Sequence, residues 1–272
     1  MGTSVWPGST GTVTVTGGPS TWSVNGTLAV GEGGKGTLNI LNGGLVLSRD
    51  GIIGKDSGGV GVVTISGAGS QWKATLTGGS GTITVGEAGT GTLNVMGGGQ
   101  VIATSVIVNP SGTLNGPGGS IVANLVNAGG VITPGDATGT LMVTGNYTQN
   151  GGATMFEIDA AGPGQFDKLI ISGLATFNGG TIDINFANFS PTAGENFALI
   201  SALSLSNLGV TVDITGLPAG FVFADNFTPT GFDLFTQQTP GGAPTPEPAT
   251  WLLMASGLGS LIARRSGLRR KA

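Results

Sequence analysis

Apolar residues alternate with Thr, Asn, Asp or Met over short stretches along most of the chain. A period of two places the apolar side chains on one face of an extended strand, so each stretch predicts a strand of about four to six residues with one buried face. Gly-Gly, Asn-Gly or Pro-Gly pairs bound these stretches and predict turns. The alternating pairs are Val13 and Val15, Leu38 and Ile40, Ile83 and Val85, Leu93 and Val95, Leu141 and Val143, and Ile182 and Ile184.

Two segments of the chain recur in tandem. Residues 11–22 recur at an offset of 50, and residues 30–46 recur at an offset of 55. The second copy therefore carries five extra residues, which fall between Trp72 and Val85. Copies that differ in only one connection are typical of stacked coils, because an insertion there bulges from the surface. The phrase Gly-Thr-Leu also returns, starting at Gly26, Gly36, Gly91, Gly112 and Gly139.

Together these patterns predict an all-β fold. We expect a parallel β-solenoid, or β-helix, of short glycine-bounded strands around a stack of Val, Ile and Leu, with a hydrophobic helix at the C-terminus. Phe becomes frequent after residue 150 and marks a change of texture. The predicted units are solenoid repeats over 1–134, a continuation or cap over 135–238, a Pro/Gly linker over 239–248, and a terminal segment with a short transmembrane helix and basic tail over 249–272.

The composition supports extended structure and removes most catalytic chemistry. Of 272 residues, 54 are Gly and only 24 are charged, which disfavours a helical bundle because Gly weakens helices and a surface helix needs a charged face. The chain has no Cys and no His, so disulfides, thiol catalysis, the usual zinc ligands, His bases and Ser-His-Asp triads are excluded. We predict a protein that is not an enzyme and that needs no cofactor or metal.

The charge is divided unequally along the chain. The net charge is −4, but residues 1–263 hold five basic and fourteen acidic residues, a net charge of −9. An acidic body repels phosphate backbones, so we expect no nucleic-acid partner. The basic cluster at the extreme C-terminus consists of Arg264, Arg265, Arg269, Arg270 and Lys271.

The uncharged run Ala249–Ala263 precedes that cluster. As a helix it is about 22 Å long against roughly 30 Å of hydrocarbon, so it predicts a short membrane anchor whose interfacial Trp251 and arginines extend the match. Basic residues after the span favour a cytoplasmic C-terminus and an exported body. The alternative is a buried terminal helix.

The order of Pro246, Glu247 and Pro248, then an apolar stretch, then Arg264 and Arg265 resembles the PEP-CTERM protein-sorting signal, over about residues 245–272. The resemblance implies recognition by an exosortase in the inner membrane of Gram-negative bacteria, transient anchoring there, and release or transfer to the cell surface or extracellular matrix. It also implies a link to exopolysaccharide and biofilm.

Two further expectations concern the rest of the chain. Residues 1–16 have neither a basic region nor an apolar core of a signal peptide, so we expect Met1 to lie inside a longer reading frame that supplies an export signal. Residues 11–203 resemble the β-strand repeats of autotransporter and adhesin-like passenger domains, including strings such as Gly-Thr-Leu-x-Val-x-Gly-Asn-Tyr-x-Gln. That resemblance implies a fold rather than an activity.

The candidate sites have structural alternatives. Trp22 and Trp72 occupy equivalent repeat positions and either stack on glycans or pack at corners, of which packing is favoured. Gly31, Gly33 and Gly36 match a nucleotide-binding pattern but lead into another strand, which favours a turn. Regular Thr and Asn positions suit an ice-binding or glycan-binding face, although Thr is also a good strand former. These positions are Thr12, Thr14, Thr37, Asn39, Thr92 and Asn94.

Carboxylates remain the only plausible catalytic groups. Glu157 and Asp159 are predicted to share a strand face, and Glu32 and Glu87 are repeat equivalents that suit structural turns. The other candidates are Asp136, Asp167 and Asp183. Most of these acids are expected on a solvated outer face, with calcium at acidic turns as an alternative.

We therefore expect an exported structural or adhesive protein. The alternatives are a carbohydrate-active enzyme or a glycan-binding module on the same scaffold. A groove that brings two carboxylates together with Lys or Arg would favour the enzyme.

Overall fold

A computed structural model describes residue 6 and residues 8–135, 138–187, 189–216 and 221–238. All secondary-structure elements in these residues are β-strands. The first twelve are β1 Thr10–Thr16, β2 Thr21–Ser23, β3 Thr27–Val30, β4 Lys35–Leu41, β5 Leu45–Ser48, β6 Asp50–Ile53, β7 Val60–Ser66, β8 Gln71–Ala74, β9 Thr82–Val85, β10 Thr90–Met96, β11 Gln100–Val108 and β12 Gly112–Asn115. The others are β13 Ser120–Thr133, β14 Thr140–Val143, β15 Tyr147–Ile158, β16 Lys168–Ile171, β17 Leu174–Phe177, β18 Thr181–Phe186, β19 Asn196–Ser201, β20 Ser204–Asn207, β21 Thr211–Thr215, β22 Phe221–Thr228 and β23 Gly231–Gln238.

The strands form one mostly parallel sheet whose pairings fall into three rows. The first row runs β1, β4, β7, β10, β12, the end of β13, the end of β15, β18 and β21. The second runs β2, β5, β8, the start of β11, the start of β13, β14, β16 and β19. The third runs β3, β6, β9, the end of β11, the middle of β13, the start of β15, β17 and β20. The chain forms one strand, or part of a longer strand, in the first row, then one in the second and one in the third, and we call each such round a pass. The three rows continue across residue 135.

The period of the fold is half the repeat found in the sequence. Thr10 pairs with Lys35 and Lys35 with Val60, so successive passes begin 25 residues apart. The sequence repeat of 50 to 55 residues therefore covers two passes. The extra residues after Trp72 lie in the loop 75–81 between β8 and β9, and most of this loop is exposed.

A longer repeat arises because a large side chain needs a small neighbour. Trp22, Val46 and Trp72 are consecutive partners in the second row, so a Val separates the two indoles. A Cβ on Gly51 would lie 2.4 Å from the Trp72 ring, so Gly51 leaves space that the indole occupies. A pass with Trp at this position therefore resembles the second pass after it more than the next one, and the sequence shows the repeat of 50 to 55 residues instead of the 25-residue pass.

A column of glycines explains part of the repeated Gly-Thr-Leu phrase. Gly91 and Gly112 are partners at the start of first-row strands. A Cβ on Gly91 would lie 2.3 Å from the carbonyl oxygen of Ile53, and one on Gly112 would lie 2.2 Å from that of Val85. Ile53 and Val85 end third-row strands, so the chain passes the corner between rows too closely for any side chain.

The C-terminal end of the described sheet is closed differently. Strands β22 and β23 form an antiparallel pair, and β23 also pairs antiparallel with β19. Phe rings pack beneath this pair: Phe186 lies 4.8 Å from Phe223 and 5.8 Å from Phe197 between ring centroids. The Phe-rich texture after residue 150 thus belongs in large part to a cap, while the first pass has no partner strand before it among the described residues.

The predicted C-terminal helix lies outside the described residues. Within the part of the chain that the structure describes, no helix has the length and apolarity needed to cross a bilayer.

Candidate functional site

The two Trp residues proposed for glycan stacking lie in different environments. Trp72 is fully buried, and its Nε1 donates a hydrogen bond of 2.9 Å to Ser48 Oγ. A buried ring presents no face to a sugar, so Trp72 serves packing. Trp22 occupies the equivalent place in the first pass, where it is half-buried against the core. The stacking alternative therefore rests on Trp22 alone.

Two carboxylates meet at a cleft on the first row. The cleft has a volume of about 230 Å³, and both Glu157 and Asp167 line it. Its remaining lining residues are Asn115, Thr133, Gly135, Met155, Phe156 and Asn185. Asn185 is the strand partner of Glu157, so a carboxylate and an amide lie side by side at the rim. This lining contains no Lys or Arg, which a lyase-type site would place beside the acids.

Asp167 is held by the backbone on both sides. Its Oδ1 accepts a hydrogen bond of 2.7 Å from the amide of Gly139, and its Oδ2 accepts one of 3.1 Å from the amide of Glu157. Burial of the side chain, which is 2% exposed, raises the pKa of this carboxyl to about 7 against the opposing effect of these amides. The nearby charge of Glu157 adds to the rise. Asp167 therefore ties β15 to the segment before β14, which is a structural role.

The raised pKa of Asp167 predicts a pH-dependent stability. The folded chain holds this proton more tightly than the unfolded chain, so the stabilisation is complete below about pH 4 and is lost as pH rises towards 7. We expect the free energy of unfolding to fall by at most about 1.4 kcal/mol per pH unit from this group across that window. Urea unfolding at intervals from pH 4 to pH 8 measures it.

The control is Asp167→Asn, which cannot titrate. The difference in unfolding free energy between the two chains isolates this carboxyl from all the others. A difference that stays constant across the window contradicts the assignment of the raised pKa to Asp167.

Of the other predicted acids, Glu32 and Glu87 lie at corners between strands, whereas Asp183 is half-buried within β18. Glu32 and Lys55 form an ion pair on successive passes, and Glu87 follows on the next pass. The hydrogen bond to Glu32 raises the pKa of Lys55, with smaller contributions from Glu32, Asp56 and Glu87 charges. Gly31 precedes Glu32 with φ +72°, as in a turn, and the next element is strand β4 rather than the helix that follows a phosphate loop. Repeat-equivalent acids thus form a ladder of alternating charge.

Asp159 follows the end of β15 and is exposed, so Glu157 shares its cleft with Asp167 instead. Sequence patterns did not single out that pairing, because Asp167 is ten residues from Glu157 and only the loop after β15 brings it back to that strand. Asp136 lies outside the described residues. Among the described residues, no group of three or more Asp or Glu is arranged to hold a metal ion.

The regular Thr and Asn positions share the outer face of the first row. Thr12 pairs with Thr37, and the next column links Asn side chains to their neighbours by hydrogen bonds. Asn115 Nδ2 donates to Asn94 Oδ1 at 2.7 Å, and Thr133 Oγ1 donates to Asn115 Oδ1 at 2.7 Å. These polar groups bond along the row, which gives the face a stabilising function that needs no ligand.

The sorting residues Pro246, Glu247 and Pro248 and the basic cluster lie outside the described residues. In a comparison with known families, the model of the PEP-CTERM protein-sorting motif matches residues 244–271. A search of curated proteins found no match to the chain.

Proposed function

We propose that this chain, which carries a PEP-CTERM sorting motif, is an exported structural or adhesive protein of the cell surface or extracellular matrix. The motif supports an exported protein that an exosortase sorts. It matches residues 244–271, so it includes the Pro-Glu-Pro triplet, the apolar run and all five residues of the basic cluster. This match is the observation that carries the proposal.

The architecture fits that role. We take the three parallel rows as a β-solenoid in which each pass stacks on the one before it, as in other repeat proteins. The interior is almost wholly apolar, and the outer faces carry Thr, Asn and isolated charges. Such a body is a rigid spacer with a long surface. The proposal includes the resemblance of residues 11–203 to the repeats of autotransporter-like passenger domains.

The remaining parts of the proposal concern the tail and the partners. Residues 249–263 anchor the chain transiently in the inner membrane, with the basic cluster on the cytoplasmic side. An exosortase then acts at the Pro-Glu-Pro triplet, and the body reaches an exopolysaccharide matrix. The chain is not an enzyme: the cleft that joins Glu157 and Asp167 is small, and its lining lacks a cation.

Replacement of the sorting triplet tests the proposal. The full chain, fused after an export leader and expressed in a Gram-negative host with an exosortase, is expected to lose its C-terminus and reach the surface. Glu247→Ala is expected to leave most of the chain unprocessed in the membrane fraction, because the triplet is the recognition element. Immunoblots of membrane, surface and medium fractions measure this.

Pro240→Ala is the matched control, since it alters the same linker outside the matched residues. It is expected to behave as the unaltered chain. Equal processing of the Glu247→Ala chain and the unaltered chain contradicts the proposal.

A further inference from the structure

The edge of the sheet at the first pass carries none of the usual protection against pairing. Among the described strands, β1 pairs with β4 alone and β2 with β5 alone, so one side of each is an open edge. Strand β21 ends the first row at the other end of the sheet, and it carries Asp213. Charged residues and Pro on an edge strand oppose pairing with another chain, and β1 contains neither.

The backbone groups of β1 that point away from β4 belong to its threonines. The amide of Lys35 donates to the carbonyl of Ser9 at 2.8 Å, and the amide of Gly17 donates to the carbonyl of Leu41 at 3.1 Å. Along a strand, residues that bond to one neighbour alternate with residues directed to the other side, so the odd-numbered residues of β1 bond to β4. An extended strand is the partner that satisfies the remaining amides and carbonyls. These belong to Thr10, Thr12, Thr14 and Thr16.

The sequence of β1 is suited to pairing with a second copy of itself. It is Thr-Gly-Thr-Val-Thr-Val-Thr, which is nearly the same in both directions. In an antiparallel pair with Val13 on the two-fold axis, Thr10 lies opposite Thr16 and Thr12 lies opposite Thr14. Each position on the outer face is then a Thr–Thr pair, which stabilises antiparallel strands. The same four residues also exchange the backbone hydrogen bonds.

The charge and the shape of the first pass favour the same contact. No Asp, Glu, Lys or Arg precedes Glu32, although residues 1–263 have a net charge of −9, so two copies meet here without like charges in contact. A recess of about 610 Å³ is lined by residues of both β1 and β2. Its lining includes Val13 and Trp22, which are only half-buried against the core.

We infer that two copies of the chain associate head to head, with β1 antiparallel to β1 across a two-fold axis at Val13. The second copy lies over the recess and pairs with the open edge. This contact goes beyond the proposed function, because it involves the first pass and needs no sorting step. The sorting motif follows β23, which pairs with β19 at the other end of the sheet.

Thr12→Pro tests the contact, because proline removes the amide hydrogen that Thr12 directs to the open edge. The full chain is kept in a mild non-ionic detergent that covers its apolar run, and sedimentation equilibrium measures its molar mass over a range of concentrations. We expect the unaltered chain to be a dimer. Thr12→Pro is expected to raise the dissociation constant at least about tenfold, because the dimer loses the same bond twice. Thr12→Val keeps the amide and is expected to stay within about twofold of the unaltered chain.

Oxidative trapping tests the contact without the proline variant, since the chain has no Cys of its own. Val13→Cys places two thiols across the axis, where the Cα atoms of a non-hydrogen-bonded pair lie about 4.5 Å apart, within the range of a disulfide. Val62→Cys is the control, because Val62 is also half-buried in the first row but lies in β7, between β4 and β10. We expect the covalent dimer to form at least about tenfold faster with Cys at 13 than at 62.

A monomeric unaltered chain overturns the inference, and so do equal trapping rates for the two Cys variants. Equal dissociation constants for Thr12→Pro and Thr12→Val also overturn it. Assemblies that grow beyond the dimer count against it as well, because a two-fold contact at one end of the sheet is closed after two copies.

Discussion

Gly91→Ala is expected to lower the free energy of unfolding by about 3 kcal/mol, because the corner has no room for a methyl group. The added Cβ would lie 2.3 Å from the carbonyl oxygen of Ile53 and 2.4 Å from the amide nitrogen of Gly86. Both neighbours are backbone atoms that belong to hydrogen-bonded strands or corners, so no side-chain rotation relieves the overlap. Relief requires the corner between the third and first rows to open. Thermal and urea unfolding measure the loss.

Gly26→Ala is the matched control for that experiment. Gly26 also starts a Gly-Thr-Leu phrase, but no atom lies within 4 Å of a Cβ built on it. We expect a change within about 0.5 kcal/mol, as for other surface substitutions. If the two substitutions are equally costly, the close approach at Gly91 does not explain the repeated phrase.

Trp72→Ala is expected to lower the free energy of unfolding by about 3 to 5 kcal/mol, as is usual for a large buried aromatic side chain. The indole is fully buried and fills the space above Gly51, so its removal leaves a cavity that the backbone cannot collapse into. The change also removes the donor that bonds to buried Ser48. Denaturant unfolding measures this loss.

Trp22→Ala serves as the comparison, because the same residue type occupies the same row at the first pass. It is half-buried, so we expect at most about half the loss. The same two variants also test the glycan-binding alternative. Retention on an acidic or neutral polysaccharide that Trp22→Ala abolishes, with unfolding unchanged, favours a glycan-binding module over the structural role. Equal destabilisation by both variants contradicts the difference in burial.

The strands were predictable because the inner faces are almost uniformly apolar. Val13 and Val15 are followed in the same columns by Leu38 and Ile40 and then by Val63 and Ile65, so a period of two is visible in each pass. The true spacing of the passes was not predicted. Trp and Val alternate at one position of the second row, so the full sequence pattern returns only after two passes.

The buried polar groups were also beyond prediction from pattern. Tyr147, Gln149 and Thr154 are all buried. Tyr147 Oη donates to Gln149 Oε1 at 2.8 Å and lies 2.7 Å from Thr154 Oγ1, while Gln149 Nε2 donates to the carbonyl of Thr181 at 2.9 Å. A polar residue at an inward position looks the same in sequence as an outward one, because its partners, which here lie on the same long strand β15 and on the neighbouring strand β18, are brought together only by the fold.

The candidate functional residues were likewise predictable only in part. The PEP-CTERM motif is a local string and was recognised from residues 246–248 and the segments after them. The cleft of Glu157 and Asp167 depends on a loop that returns to the sheet after ten residues, and its members share no spacing that marks them. Trp22 and Trp72 are equivalent in sequence, but only the position of a pass within the stack determines whether its indole is covered.

The three rows keep one register from pass to pass at the start of the chain, with 25 residues per pass. Each pass adds about 4.8 Å, the spacing between neighbouring strands, to the length of the body. Copying or deleting two such passes, a block of about 150 nucleotides that keeps Trp and Val alternating, changes how far the body extends and leaves its cap and its sorting motif unaltered. The length of the body can therefore evolve independently of the sorting motif.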